Sequence, residues 1–497
     1  MSLNPKWVPM KWPCGPIAVA RLNDENGGDA ELRECAAAWA RPAALDLLTG
    51  TPVNCLIVEW AAGAAGDSAQ QQSLRALIAA GRQKGISFVG KVSTTDQVAI
   101  SAGAAAGLEA VILSQPETSS SALPQISLLP SDQIDWGLAT PIFIAGGNVW
   151  PGTNLKPIDE NMDGDAAVAG PTSNPWADSN SWLSLLARSM TPDKVLWLDL
   201  DPPDPATLLP AQRYCLAVAD TALYGSRWIL SLDNRMRVAL HKREAPAIAA
   251  WKQISDTVAY FEAHPSWITC EPMGVLAVVS DFSQQNAFTT EQVLNLLSRR
   301  EVPFTVMNRT RPLPLSDAWL RGILWLDDEE PEAEQRRELL AFVEQGGQLI
   351  ASQYWGPAEI APQTQDWLNG YNQYALGRGR IVVAEGGFPD PYQLSRDTHL
   401  IVSRKNDFVR LYNPGTTKYY STIDQQRRRQ VVHVLNYSTE AANYVTLWVN
   451  ARTNAAQLWS PHSPRSSAIP QLSAADGMSF QLPSIAVNCA VEIDRVI

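Results

Sequence analysis

Through the first 270 residues, short apolar runs alternate with stretches whose apolar residues recur at helical spacing, the pattern of βα units around a parallel sheet. Eight runs read as strands: 16–22 (PIAVARL), 55–60 (CLIVEW), 86–92 (ISFVGKV), 109–115 (EAVILSQ), 125–130 (QISLLP), 141–148 (PIFIAGGN), 194–201 (KVLWLDLD) and 227–233 (RWILSLD). Eight strands in about 250 residues is the proportion of a (β/α)8 TIM-type barrel. The fifth run is followed so soon by SDQIDW that little room is left for a helix, so a barrel with one reduced unit is expected.

A new βα pattern opens at Gly274 and continues to about 390. Its strands are GVLAVVSDF, PFTVM, GILWLDD, QLIAS and GRIVVAE. Thr289 and Gln292 have the spacing of a capping box, with Phe288 placed to staple onto Val293. A second helix follows Pro331, buries Leu339 and Val343, and stops at Gly346 and Gly347. This reads as a doubly wound, flavodoxin-like α/β layer over 271–390. From 391 to 497 short alternating runs take over, beginning with HLIVSR at 399–404, and predict an all-β sandwich. The fold class is therefore multidomain α/β.

Period-two parity sorts each barrel strand into an interior face and a face toward the helices. It groups Cys55 and Ile57 with Glu59, Val89 with Lys91, Trp197 with Asp199, and Ile229 and Ser231 with Asp233. The C-terminal rim of such a barrel carries its chemistry, so Glu59, Lys91, Asp199 and Asp233 form a candidate constellation, with Asp201 just beyond it. Two carboxyl groups suit general acid and base work. Glu59 beside a wall including Trp197 is the expected acid, Asp199 or Asp233 the base or nucleophile, and Lys91 the group that orients substrate. The plainer reading is that each polar strand end caps the next helix or holds a loop.

The longest irregular stretch lies between the sixth and seventh runs and carries Asn148, Trp150, Asn174, Trp176 and Asp178. Indoles, amides and acids together suit a sugar, with the indole for the C–H face and the polar groups for hydroxyls. The 18 tryptophans of the chain agree with that. The alternative is that Asp178 caps the helix that follows and the tryptophans anchor the loop.

A net charge of −12 argues against a nucleic-acid partner. The one basic run, Arg427 to Arg429, reads as a solvated hairpin turn. No apolar run approaches the roughly 20 residues of a membrane span, so a soluble protein with no membrane partner is expected. Six dispersed cysteines without a CxxC pair and five isolated histidines predict neither a metal nor a cofactor. The start MSLNPKW carries no export signal and leaves the compartment open, exported if such a signal has been removed.

The order of elements in the middle region resembles the class I glutamine amidotransferase fold, whose active members place a Cys nucleophile after a strand. The corresponding turn here reads Ser352, Gln353, Tyr354, and there is no GxSxG elbow, which implies an inert domain. A barrel, such a domain and a closing sandwich together resemble the β-galactosidases of glycoside hydrolase family 42. That resemblance implies a carbohydrate substrate and a homo-oligomer built through the middle domain. The family carries Asn-Glu at the end of the fourth strand and another Glu at the seventh. Here the fourth run ends Leu113, Ser114, Gln115 and the seventh offers Asp199 or Asp201, so the family's roles are not carried over. Two functions are expected in competition: a divergent glycoside hydrolase, and a non-catalytic glycan-binding or assembly protein.

Overall fold

Seven of the eight apolar runs are strands, and the exception changes the site. A computed structural model describes residues 3–24, 29–93, 96–113, 121–146, 149–154, 176–203, 208–368, 370–402, 406–424, 426, 428–463, 465–474 and 476–496. The first barrel strand is Pro9–Lys11, and the run at 16–22 lies inside the helix Gly15–Asp24. Alternation of small and apolar residues in PIAVARL fits either periodicity. Gly15, at φ +80°, breaks the chain direction just before it, and Pro16 is tolerated in a first helical turn.

The other strands are Cys55–Ala61, Ser87–Val92, Ala110–Leu113, Gln125–Pro130, Ile142–Gly146, Val195–Asp199 and Arg227–Trp228, all paired in parallel in chain order. A parallel bridge between Met10 and Leu230 nearly closes the ring, with the Lys11 N–H donating to the Leu230 carbonyl at 2.7 Å. Between the fifth and sixth strands the described residues hold only the 3-10 turn Ser131–Gln133. The interior is filled by Ile57, Val89, Trp197 and Ile229, from the faces that parity grouped with the charged strand ends, together with Ile112 and Ile144. Trp7 plugs its N-terminal end, the indole N–H donating to Ser87 at the start of the third strand.

By its contacts the chain forms two compact units, Met1–Trp150 with Thr191–Pro265, and Pro151–Met190 with Ser266–Ile497. The first is the barrel. In the second, five parallel strands, Leu276–Ser280, Phe304–Asn308, Gly322–Trp325, Gln348–Ser352 and Gly379–Ala384, lie in the spatial order second, first, third, fourth, fifth. An antiparallel hairpin, Gln363–Leu368 with Tyr371–Leu376, extends the edge beside Gly379–Ala384. The helix Ser181–Met190 packs on Phe304–Asn308 and on the helix Gln284–Arg299.

That last helix begins after Ser283, so Thr289 is inside it and Phe288 is 73% exposed. The capping-box reading is thereby corrected: an Asx-type turn at Asp281, which accepts from the Ser283 N–H, starts the helix earlier. HLIVSR is also corrected, since the helix Pro391–Val402 covers most of it and buries Leu394, Ile401 and Val402 on one face. Beyond it, two antiparallel sheets share one core. Val432, Val434 and Val491 come from the sheet built on Thr417–Asp424, Arg429–Asn436 and Asn488–Val496. Leu447, Val449 and Phe480 come from the sheet built on Val409–Tyr412, Thr446–Val449 and Gly477–Gln481. Arg428, at φ 54°, sits in the hairpin between two of these strands, and Arg427 lies outside the described residues. Among the described residues no helix is long and apolar enough to cross a membrane.

Candidate active site at the barrel mouth

Above the apolar filling of the barrel, the next interior positions are charged. Glu59 on the second strand stands opposite Lys91 on the third, and Lys11 on the first stands opposite Ile57. Asp199 ends the seventh strand, two residues beyond the buried Trp197. Lys11, Glu59, Lys91, Asp199, Asp201 and Asp233 all line one cavity of about 420 Å³. Ile57, Ile112, Leu128 and Ile229 form its apolar floor, and Trp12 backs the wall, stacked on Trp39 with ring centroids 4.2 Å apart.

The charges are arranged in two groups. Lys11 Nζ lies 2.5 Å from Asp199 Oδ1 and 2.9 Å from Asp201 Oδ1. Burial pushes the Lys11 ammonium pKa down, but these two carboxylates outweigh it and hold the value above that of an ordinary lysine. Burial likewise opposes the charge on Asp201, yet Lys11, a hydrogen bond from Ser231 and the more distant Lys91 keep its carboxyl below the usual range. In the second group, Arg21 Nη1 reaches Glu59 Oε1 at 3.0 Å and Lys91 Nζ stands 3.8 Å from the same oxygen.

Neutral groups hold this array in place. Gln70, fully buried on the helix Asp67–Gln83, donates to the carbonyls of Glu59 at 2.8 Å and Cys14 at 3.0 Å, and accepts from the Ile17 N–H. It ties the end of the second strand to the helix that carries Arg21. A Cβ at Gly15 would stand 2.5 Å from Gln70 Oε1, so both the close approach and the positive φ require glycine there. On the opposite wall Asp233 caps the helix Asn234–His241, accepting from the Met236 N–H at 2.8 Å and from the Tyr214 hydroxyl at 2.6 Å.

The remaining expected site residues are not brought to the cavity. Trp197 is fully buried in the barrel core, because its position two residues before the strand end places it a layer below the mouth. Trp150 is 8% exposed and packs edge-on against Trp228 and Tyr214, with centroids 5.1 and 5.7 Å away, which makes it an anchor for the loop. Asp178 belongs to the second unit, where it is buried and ion-paired to Arg299 at 2.7 Å. Asn148, Asn174 and the side chain of Trp176 lie outside the described residues, as do Ser114 and Gln115. Lys11, Arg21, Trp12 and Arg237 line the cavity and were missed by the sequence reading. Among the described residues no group of three or more His, Cys, Asp and Glu is placed to hold a metal ion.

No family model matches the sequence, and no curated protein sequence matches it. Among solved structures, the α-L-fucosidase isoenzyme 2 of Paenibacillus thiaminolyticus is similar at 10% identity and a TM-score of 0.55, over 99% of this chain and 100% of that one. A rhamnosidase from Novosphingobium sp. PP1Y aligns at 11% identity and a TM-score of 0.42, over 98% of this chain and 44% of its own. An exo-carrageenase GH42 from Bacteroides ovatus aligns at 10% identity and a TM-score of 0.34, over 63% and 44%. The last two likenesses are too slight to argue from. What the first shows is a fold shared along the whole chain.

Proposed function

We propose that this protein is a glycoside hydrolase whose reacting groups are Glu59 and Asp199. The observation that carries the proposal is the convergence of charged side chains from the ends of separate strands on one cavity at the C-terminal rim of a parallel barrel. Its volume of about 420 Å³ suits a small saccharide. Cleavage needs one carboxyl that protonates the leaving oxygen and one carboxylate that attacks or activates water. In this reading Glu59, paired to Arg21 and Lys91, and Asp199, beside Lys11, supply the two carboxyls, one as acid and the other as base or nucleophile. Lys91 and Asp201 bond sugar hydroxyls. Asp233, with both oxygens accepting hydrogen bonds, supports the wall from which the eighth strand ends.

The fold shared with an α-L-fucosidase supports this class of reaction, with a carbohydrate as the ligand. We also read 1–270 as the catalytic barrel, 271–390 as a flavodoxin-like, amidotransferase-like domain without a nucleophile, and 391–497 as the sandwich, in the manner of family 42. The second-first-third-fourth-fifth strand order and the burial of Ser352, 1% exposed, support that reading. A homo-oligomer through the middle region accompanies it. Asn148 remains a proposed sugar contact.

The test is a panel of chromogenic glycosides that includes an α-L-fucoside. At least one substrate should turn over, and Glu59→Gln and Asp199→Asn should each lower kcat by about 10²–10⁴-fold with far-UV circular dichroism unchanged. Full activity in both variants removes the site assignment. Saccharide binding without any turnover assigns the cavity to recognition instead.

A further inference from the structure

Among the described residues, every cation lining the cavity except one has a carboxylate partner. Lys11 is paired to Asp199 and Asp201, and Arg21 and Lys91 to Glu59. Arg237, on the first turns of the helix Asn234–His241, lines the same cavity and is 8% exposed. Its Nη2 donates to the Asn234 side-chain oxygen. Its Nε is buried without a hydrogen-bond partner, and among the described residues no carboxylate lies within ion-pair distance of it. Asp233 and Asp201 act on it only at longer range, and the oxygens of Asp233 are already taken by Tyr214 and the Met236 N–H.

A guanidinium withdrawn from water and left without a counter-charge is costly to the fold, and the orphaned Nε adds to the cost. A sugar hydroxyl could accept from Nε but would leave the charge uncompensated. An anionic group does both, and a carboxylate or sulfate offers two oxygens to the planar guanidinium fork. Lys91, whose contact with Glu59 is long at 3.8 Å, is a second cation facing the same cavity. We infer that the saccharide taken by this site carries an anionic substituent, a uronate carboxylate or a sulfate ester, received by Arg237. The inference rests on the reading of the cavity as a saccharide site.

Isothermal titration of the full chain with D-glucuronate, galactose 6-sulfate, glucose and galactose tests it and separates the two sources of charge. One anionic sugar should bind about tenfold or more tightly than its neutral counterpart, a preference of the size expected for one charge-assisted pair. Arg237→Gln should abolish that preference, and Arg237→Lys should keep part of it, retaining charge without the fork. The comparison within the unaltered protein needs no variant, so a misfolded Arg237→Gln leaves the test intact. Equal affinity for charged and neutral sugars overturns the inference while the saccharide reading stands. Absence of binding to all four sugars, together with an inactive glycoside panel, removes both.

Discussion

Two arginines that follow strands of parallel sheets, one in each unit, live in opposite electrostatic circumstances. In the second unit Arg309, just past the strand Phe304–Asn308, is held by Asp281 at 2.8 Å and by Asp327 and Glu329. Burial raises the pKa of Asp327, which has no exposed side-chain surface, and hydrogen bonds from Ser280, the Asp281 N–H and Arg309 work against that rise. In the barrel Arg237 has the Asn234 amide oxygen and lines the cavity, with no carboxylate in ion-pair range among the described residues. A guanidinium saturated from within locks strand ends together, whereas one left open is available to a ligand. The same residue type thus serves a structural network in one unit and, in our reading, a recognition site in the other.

The contrast can be broken by making the same substitution at both. Arg309→Met should cost about 3–5 kcal/mol in chemical denaturation, because it strands the buried Asp327 without its counter-ion. Arg237→Met should leave stability within about 1 kcal/mol of the parent or raise it, since the removed charge had no partner. Equal losses at the two positions would erase the distinction. A third substitution probes the neutral scaffold of the mouth: Gln70→Leu leaves the Glu59 and Cys14 carbonyls and the Ile17 N–H without their partner, at about 1–3 kcal/mol in all where water reaches the freed groups. Calorimetry should show a lowered Tm even where Arg237→Met shows none.

The smallest effect concerns pH. The folded-state pKa of Asp201 lies below its ordinary 3.8, so its contribution is present above that value and is lost as pH falls through the lowered one. Asp201→Asn should fall behind the parent above about pH 4.5 and converge on it as pH drops through the lowered pKa of the carboxyl. With its side chain 70% exposed, the difference should stay under about 1 kcal/mol after screening by solvent. A variant that tracks the parent across the range would show that Lys11 leans on Asp199 alone.

Much of the barrel was legible because its strands are buried on both faces and therefore written as apolar runs, with parity intact. That parity placed Glu59, Lys91, Asp199 and Asp233 at one mouth without any coordinates. Lys11 was lost for a physical reason: its strand is only Pro9–Lys11, too short for a periodicity, and a helix rich in Ala and Val follows it. The tryptophans flanking it, Trp7 and Trp12, were the available signal, since both are buried in the barrel unit. Arg237 was invisible because a helical arginine reads as a solvated face until a cavity is seen beneath it. Asp178 misled because loop composition does not say which core a loop joins. HLIVSR misled because three apolar letters in a row, two of them β-branched, fit a strand as well as one face of the helix begun at Pro391.

The excursion of the chain after Trp150 has a bearing on how this protein can be cut. A fragment beginning at 271 would leave behind the helix Ser181–Met190 that covers the strand Phe304–Asn308. It would also lose Asp178, the counter-ion of an Arg299 whose guanidinium burial already drives its pKa down to about 10. Expressed by itself, that piece would present a bare sheet face and an orphaned buried charge, so soluble dissection requires residues 151–190 to be grafted back, and the barrel to be rejoined across the gap they leave.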